Sequence, residues 1–446
     1  MLTDPRGIAI TAASADAVLR LEAAIIAYCG FKADTGDRLK AALATDPALV
    51  MAHILRGYFM LLLVKRELVP RARAAAQAAD AAMRAAGSTP REALHREALD
   101  AWIRRDLTGA IRILSEVLAA YPRDLVALKL AQYLLFYAGD SRTMRGVVAD
   151  AIRGWDEGVP GYGFALGCHA FGLEECGEYA AAERAGRRAC ELNPDDIWGA
   201  HAVAHVFEMQ DRAEEGLGWI ATLGPHWRAA NNFVFHVWWH RCLFLLALRR
   251  YDEVLARYDS EVRAESTDEY LDITNAVALL WRLEQAGIAV GERWRELAVR
   301  AAARSDDHML AFGDVHYAMA LAAAGSAEEF AHWHESSQRF ARQASESQAG
   351  VMAEIGLALG EAGKAHRCGD FAQAAALLLP VRHAIARIGG SHAQRDLFAQ
   401  LLIDAALKAG RVETARELLQ ERLAARPSNP WARAQLRLAD AAREEA

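Results

Sequence analysis

The chain has 446 residues, of which 53% are hydrophobic and 24% are charged, which excludes fibrous and disordered classes and allows a large buried core. A net charge of −7, from 51 basic and 58 acidic residues, offers no electrostatic basis for a nucleic-acid partner. Because the sequence shows neither a signal peptide nor an apolar run long enough to cross a membrane, we expect a cytoplasmic protein without a membrane partner.

Residues that favour helices dominate the chain from end to end, and the β-branched alternation typical of strands is almost absent. Apolar residues at three- and four-residue steps predict short helices separated by brief turns rich in glycine and proline. In chain order, the clearest cover 71–86, 92–105, 110–120, 161–176, 180–192, 197–210, 233–248, 271–285 and 307–323. The predicted fold class is therefore all-α.

A repeat signature marks the second helix of several predicted helix pairs. An alanine lies twelve residues before a proline at Ala110 and Pro122, at Ala182 and Pro194, and at Ala415 and Pro427. In a tetratricopeptide repeat, small residues let paired helices approach closely, and the proline ends the second helix. The sequence therefore predicts a tetratricopeptide-repeat-like α-α superhelix, a solenoid of helical hairpins. An unrelated helical bundle is the alternative.

The predicted array has three parts. Residues 1–155 form N-terminal hairpins, residues 156–325 form central repeats that carry a His/Asp/Glu/Trp cluster, and residues 326–446 form C-terminal repeats and a capping helix. The sequence assigns no role to the first part beyond extending and capping the array, and it carries no sign of an oligomeric state.

Histidine and tryptophan are concentrated in the central part. Five of the 15 histidines lie between His201 and His240, and five of the 11 tryptophans lie between Trp198 and Trp239, several times what an even distribution gives. These side chains combine an apolar body with a polar edge, as residues of binding clefts often do. The local excess therefore indicates a cleft that binds a ligand.

Polar residues also recur at about the length of one hairpin. His169, His205, His240, Asp272 and His308 are separated by 36, 35, 32 and 36 residues, close to the roughly 34 residues of a tetratricopeptide hairpin. Each falls on the first helix of its predicted hairpin, and first helices line the concave surface of such solenoids. We therefore predict a polar ladder along the inner groove.

Two histidine pairs have the four-residue spacing of a single helix face. These are His201 with His205, followed by Glu208, and His236 with His240. Three ligands on one straight helix lie too far apart along its axis to bind a single zinc ion. A metal site would therefore use at most two of His201, His205 and Glu208. H-x-x-x-H without the glutamate of the zincin motif is a weak metal signal.

Structural explanations compete with each functional one. A histidine on an inner helix face is as often a hydrogen-bonded core residue as a functional one. The tryptophans are better explained by packing than by stacking on a ligand. Glu174 and Glu175 are expected at a solvated helix end. Asp306 and Asp307, just before His308, are as consistent with a helix N-cap as with a functional acid.

Several catalytic motifs are missing from the sequence. It has no G-x-x-x-x-G-K-[ST] loop, no dinucleotide fingerprint after a strand and no G-x-S-x-G, which excludes standard nucleotide and hydrolase chemistry. The six cysteines form no C-x-x-C pair and are expected to be reduced. Cys168 and Cys242, which lie near two of the histidines, are expected to be structural.

Five short stretches between residues 161 and 323 form a distinctive set: A-H-x-x-E-M at 204–209, H-x-x-W-H at 236–240, L-W-R-L at 280–283, R-W at 293–294 and F-x-D-x-H at 312–316. Together they resemble the tetratricopeptide repeat protein 38 family. The resemblance implies a helical-repeat fold and places the family's polar residues at His205, Glu208, His236, His240, Asp272, Asp314 and His316. Val237 and Gly313 depart from it, since asparagine is expected at both. The family has little assigned biochemistry, so the resemblance implies a site and no activity.

The predicted function is binding of a small molecule or short peptide in the concave groove or central cavity, with acid–base catalysis as an extension that the sequence leaves open. Residues assigned to the chemistry are His205, Glu208, His236, His240, Asp272 and His316. Residues assigned to ligand binding are His169, Trp198, His201, Trp239, His308 and Asp314. The alternatives are a protein–protein interaction scaffold without activity and a metal-dependent enzyme that uses the histidine pairs. The sequence leaves the cofactor unknown and assigns no metal ligands.

Overall fold

Helices form nearly all of the regular structure in the computed structural model, which describes residues 2–444. Two short strands, β1 (Leu2–Thr3) and β2 (Ala9–Ile10), pair antiparallel with Leu2 opposite Ile10. The described helices up to residue 223 are α1 (Ala15–Cys29), α2 (Thr35–Thr45), α3 (Val50–Leu62), α4 (Val69–Ala86), α5 (Pro90–Ile103), α6 (Leu107–Ala120), α7 (Leu125–Ala138), α8 (Ser141–Ile152), α9 (Tyr162–Glu174), α10 (Tyr179–Leu192), α11 (Ile197–Met209) and α12 (Ala213–Leu223). Those after residue 230 are α13 (Phe233–Ala247), α14 (Tyr251–Arg257), α15 (Tyr270–Gln285), α16 (Arg293–Ala302), α17 (Ala311–Ala324), α18 (Ala327–Gln343), α19 (Ser347–Val351), α20 (Leu357–Arg367), α21 (Phe371–Val381), α22 (His392–Lys408), α23 (Val412–Ala425) and α24 (Pro430–Glu444).

Helices that follow one another along the chain pack together as hairpins. The most extensive pairings within hairpins are α1 with α2, α3 with α4, α5 with α6, α9 with α10 and α20 with α21. Successive hairpins also pack on one another, for example through α6 and α7, α16 and α17, or α23 and α24. The predicted all-α fold of tetratricopeptide-type hairpins is confirmed. Among the helices within residues 2–444, none combines the length and the apolar composition needed to cross a bilayer.

The repeat signature has the structural role that the sequence predicted. Ala110, Ala182 and Ala415 are completely buried in α6, α10 and α23, the second helices of their hairpins. An alanine at these points leaves room for the first helix to approach closely. Each of these second helices ends two residues before its proline, and the next helix begins three residues after it.

A polar residue two positions after each proline caps the helix that follows. Asp124 accepts a hydrogen bond from Ala127 N, Asp196 accepts from Trp198 N and Gly199 N, and Asn429 accepts from Ala432 N. These side chains satisfy main-chain donors that have no partner within the helix. All three caps are buried, with 5% or less of their surface exposed. The proline therefore ends one helix, and the residue after next starts another.

The chain divides into two compact units. The first comprises Met1–Val206 and Ala221–Val234, and the second comprises Phe207–Ile220 and Phe235–Ala446. In the first unit α7 packs against α6, α8 and α9. In the second unit α15 packs against α16, α17 and α22, and α17 also packs against α20. The first helix of a hairpin therefore has neighbours on several sides and is buried over most of its surface.

The predicted helix over 307–323 begins four residues later than expected. Leu310 is the N-cap of α17, and His308 precedes the helix with a positive φ of 43°. Asp306 and Asp307 are not the N-cap of that helix, because they bind Ser336 and Arg304 instead. His308, which the polar ladder placed on a first helix, therefore lies in the turn before α17.

Candidate functional site

The twelve residues predicted for the site are divided between the two units. His169, Trp198, His201 and His205 lie in the first unit. Glu208, His236, Trp239, His240, Asp272, His308, Asp314 and His316 lie in the second unit. Ten of the twelve are buried, while His169 and Glu208 keep part of their surface exposed.

In the first unit, a carboxylate and two imidazoles form a line. Glu174 is the last residue of α9, and His201 and His205 lie one turn apart on α11. His205 Nδ1 lies 3.5 Å from Glu174 Oε2, and His205 Nε2 lies 2.9 Å from His201 Nε2. All three side chains are buried. We call this set the Glu174–His205–His201 line.

The expectation of a solvated helix end at Glu174 and Glu175 is wrong. Their exposed fractions are 0% and 4%, because α11 of the following hairpin lies over the end of α9 and brings His205 against Glu174. One donor atom from each of Glu174, Glu175 and His205 lies within 4.8 Å of the others. An imidazole nitrogen and two carboxylate oxygens are ligands that Zn²⁺ and Mn²⁺ accept. Among the described residues of the first unit, these three therefore form a set that could hold a metal ion.

Trp198 belongs to an aromatic enclosure around a buried lysine. The Nζ atom of Lys129 lies 3.9 Å from the ring centre of Trp198, 4.7 Å from that of Phe31 and 5.5 Å from that of Tyr133. Burial lowers the pKa of Lys129. The negative faces of the rings partly compensate the ammonium for the loss of water. The Trp198 ring therefore makes an internal contact that sequence reasoning missed, although a lysine inside the apolar run of α7 was a visible signal.

His169, on α9, is the most exposed predicted residue of the first unit. Burial, and to a smaller degree the charge of Arg145, lowers the pKa of His169 below its ordinary value. Its imidazole is therefore neutral at neutral pH, and protonation of this imidazole by a ligand would cost free energy.

In the second unit, His236, Trp239 and His240 lie on one side of α13. The His236 ring stacks on Trp239 with ring centres 5.3 Å apart, and the edge of the His240 ring approaches His236 at 4.9 Å. His236 Nδ1 donates to Asn275 Oδ1 at 3.1 Å. Burial lowers the pKa of His236 to about 4, although the Asn275 hydrogen bond opposes the shift. His236 is therefore a neutral imidazole that carries its proton on Nδ1.

His316 has the same electrostatic character in α17. Its Nδ1 donates to Phe312 O at 2.7 Å, and its side chain is completely buried. Burial lowers the pKa of His316 to about 4, and the charge of Arg282 contributes to the shift. His316 is therefore a hydrogen-bonded core residue.

The remaining predicted residues of this unit also have partners within it. His308 Nε2 lies 2.9 Å from Ser336 Oγ, and His308 Nδ1 lies 3.6 Å from Asp314 Oδ2. Asp272 accepts a hydrogen bond from Thr267 Oγ1 at 2.5 Å. The structure therefore brings His308 and Asp314 together, and it uses Asp272 at the start of α15.

The second unit contains a cavity of about 510 Å³, and Glu208 is one of its lining residues. Burial raises the pKa of Glu208, while the positive charge of Arg426 opposes that shift. Five arginines and three carboxylates line the cavity: Arg249, Arg282, Arg422, Arg426, Arg437, Glu208, Asp211 and Asp396. The cavity therefore carries an excess of positive charge.

Two of these arginines are neutralised by ion pairs at the cavity wall. Arg422 binds both carboxylate oxygens of Asp396, one of them at 2.9 Å. Although burial opposes ionisation of Asp396, Arg422 and other arginines hold its pKa well below the ordinary value. Arg426 donates to Asp211 Oδ1 at 2.5 Å and to the main-chain oxygen of Glu208 at 2.6 Å. This network joins α23 to the end of α11.

Sequence reasoning missed most of this cavity. Only Glu208 was selected, although Arg282 interrupts an otherwise apolar stretch of α15 and Arg426 lies beside the repeat proline Pro427. Those two local signals were visible. Nothing in the order of residues 208, 282, 396 and 426 indicates that they meet, because their proximity depends on how distant hairpins pack.

No family model matches the chain. Among solved structures, the chain is similar to Naa15/Naa10 bound to HypK-THB, with 12% sequence identity and a TM-score of 0.23. That alignment covers 94% of this chain and 65% of the other, so this chain spans about two thirds of the length of its match. It is also similar to the TPR domain of P58(IPK), with 14% identity and a TM-score of 0.22 over 78% of this chain and 99% of the other. At these identities and TM-scores the likeness carries no conclusion about this chain.

Proposed function

We propose that this protein binds a small molecule or short peptide and carries out acid–base chemistry on it through the Glu174–His205–His201 line. The observation that supports the proposal is the position of His205, with one ring nitrogen facing a buried carboxylate and the other 2.9 Å from a second imidazole. A buried chain of proton donors and acceptors is the arrangement that general acid–base catalysis uses. His169 and Trp198, the other predicted residues of the first unit, remain part of the proposal as ligand contacts.

In this proposal, the order of protons along the line follows from an ionised Glu174. An ionised Glu174 favours a proton on His205 Nδ1, which makes His205 Nε2 the acceptor of a hydrogen bond from His201 Nε2–H. His201 Nδ1 is then the basic nitrogen of its ring. When His201 takes a proton from a ligand at Nδ1, its Nε2 proton can pass to His205, and Glu174 stabilises the resulting positive charge.

The proposal is tested by a thermal-shift screen of metabolites and short peptides against the wild-type protein, Glu174→Gln and His205→Gln. A ligand at 100 times its dissociation constant stabilises the folded state by about 2.7 kcal/mol. We expect both variants to reduce that stabilisation. His53→Gln is the control, because His53 in the same unit bonds to Pro47 O and not to the line. Equal stabilisation of all four proteins would contradict the proposal, and a chain that binds only folded proteins would support the scaffold alternative.

A metal-dependent enzyme is the second candidate function, because Glu174, Glu175 and His205 offer three ligand atoms within 4.8 Å of one another. A metal there would act as a Lewis acid or lower the pKa of a bound water. Metal analysis of protein purified without chelator tests this candidate. About one equivalent of a transition metal in the wild-type protein and less than about 0.2 equivalents in Glu175→Gln would support it. Less than that amount in the wild-type protein would reject it.

We also propose that the chain is a member of the tetratricopeptide repeat protein 38 family. Support comes from the five stretches between residues 161 and 323, which combine histidine, tryptophan and acidic residues at spacings that a general repeat does not require. An alignment of homologues would test it: relatives of that family should retain His205, His236, His240 and His316 together.

A further inference from the structure

We infer that the cavity of the second unit binds the carboxylate of a ligand with an apolar body, and that Arg282 is the residue that receives it. The inference concerns residues of this unit alone and is independent of the Glu174–His205–His201 line. It depends on three features: a buried guanidinium, the charge balance of the cavity wall, and an apolar surface beside it.

Arg282 is held in place by main-chain oxygens. Its Nη1 donates to Ala278 O at 3.1 Å and its Nη2 donates to Ala393 O at 2.9 Å, and its side chain lies over the Trp239 ring at 5.8 Å. Only 7% of the residue is exposed. A guanidinium has five N–H donors, so several remain after these two bonds. The contacts therefore orient the group without neutralising it.

The charge of Arg282 is not balanced by a close carboxylate. Within residues 2–444, no Asp or Glu forms an ion pair with it, whereas Arg422 pairs with Asp396 and Arg426 pairs with Asp211. A buried charge without a counterion is costly. Burial lowers the pKa of Arg282 to about 10, although Asp396 and Glu208 oppose the shift. An anion in the cavity would supply the missing counterion.

A carboxylate matches this guanidinium, because it carries one negative charge and two acceptor oxygens. Two parallel N–H donors match its two oxygens, which is the geometry that arginine recognises. Glu208 also lines the cavity, and burial raises its pKa. In its protonated form Glu208 would donate a hydrogen bond to a ligand oxygen. The polar groups therefore suit an acid and do not suit a cation.

The rest of the wall determines the body of the ligand. Phe207, Leu243 and Phe244 line the cavity and are buried, and Trp431 lines it from α24. Side chains of this kind favour aliphatic or aromatic groups. A volume of about 510 Å³ falls within the range of small-molecule sites. The ligand is therefore an apolar carboxylic acid, either a free small acid or the C-terminal residue of a peptide.

Calorimetric titration of the full chain distinguishes these two sources. The probes are 3-phenylpropionate, the peptide acetyl-Ala-Ala-Leu-Phe with a free carboxylate, and the amides of both. We expect at least one free acid to bind and its amide to bind at least about tenfold more weakly, because the amide loses the charge-assisted hydrogen bonds. Binding of 3-phenylpropionate indicates a small acid, and binding of the peptide alone indicates a C terminus.

Two variants assign the binding to this cavity. Arg282→Gln should weaken binding of the free acid by roughly tenfold to a hundredfold. Ala434→Trp should block the cavity without altering its charge. The second variant keeps the test decisive if Arg282→Gln folds poorly. Arg437→Gln is the matched control, because Arg437 lines the same cavity but is exposed. Equal binding of acid and amide, binding unchanged in both variants, or no binding at about 5 mM of any probe would overturn the inference.

Discussion

Asp124 Oδ2 lies 3.0 Å from Arg91 Nη1, and both side chains are almost completely buried. Asp124 also lies 2.9 Å from His95 Nε2 and caps α7 by accepting from Ala127 N. Although burial opposes its ionisation, His95 and Arg91 hold the pKa of Asp124 far below the ordinary value. One carboxylate therefore starts a helix and neutralises a cation that comes from the preceding hairpin.

Substitution of Asp124 should be much more costly than substitution of an ordinary cap. Asp124→Ala removes the cap and leaves Arg91 buried without its counterion, so we expect a loss of about 3–5 kcal/mol in the free energy of unfolding. Asp140 is the control, because it caps α8 through Thr143 N and is exposed. Asp140→Ala should cost about 1 kcal/mol. Urea unfolding of the two variants measures the difference, and equal losses would show that the ion pair adds nothing.

The sequence predicted the helices well because their signals are local. Helix bounds such as 197–210 and 233–248 differ from those observed by one residue at one end, since apolar spacing and prolines act within each helix. The repeat alanines were identified for the same reason. His308 was misplaced because the turn at 305–310 contains polar residues that are equally common in a first helical turn.

The candidate site was predicted less completely because burial of polar groups depends on neighbouring hairpins. The run Glu174-Glu175-Cys176-Gly177 has the composition of an exposed helix end, yet α11 covers it. Arg282 and Asp396 are separated by more than one hundred residues and line one cavity. A periodicity argument identifies which face of a helix is polar, but it cannot identify the distant element that meets that face.

The hydrogen bond between His201 and His205 should appear as an energetic coupling. A double-mutant cycle with His201→Ala and His205→Ala is expected to give a coupling of about 1 kcal/mol, the net value of a buried hydrogen bond. Urea unfolding of the wild-type protein, the two single variants and the double variant gives the four free energies. A cycle between His205 and His53, which are not bonded to each other, should give a coupling near zero. A value near zero for both cycles would refute the bond.

Stability should fall as the pH decreases through the range from about 6.5 to about 4. Burial lowers the pKa of His236 and His316 to about 4, while the ordinary value is 6.5. In that range the unfolded chain binds a proton at each histidine and the folded chain does not, so acidification favours unfolding. The stabilisation is complete above pH 6.5. Between pH 7 and pH 5, each histidine should account for a loss of about 2 kcal/mol.

The variant His316→Gln isolates one of these contributions. Glutamine retains a donor for Phe312 O but does not titrate, so the loss between pH 7 and pH 5 should shrink by about 2 kcal/mol. His332→Gln is the control, because the His332 side chain is 54% exposed. Urea midpoints at several pH values provide the measurement. A pH dependence identical in the wild-type protein and in His316→Gln would show that the pKa of this histidine is the same in the folded and the unfolded chain.

Two glycines of α12 should respond in opposite directions to the same substitution. A Cβ atom at Gly216 would overlap the Phe244 ring, whereas a Cβ atom at Gly218 would meet nothing within 4 Å. Because Phe244 is 1% exposed and cannot move aside easily, Gly216→Ala should cost about 1–3 kcal/mol. Gly218→Ala should stabilise the protein by about 0.5–1 kcal/mol, since alanine restricts the unfolded chain and favours a helix. Thermal unfolding of the two variants measures both effects. Equal changes would mean that α12 packs less closely on α13 than the Phe244 contact requires, because helix propensity alone acts in the same direction at both positions.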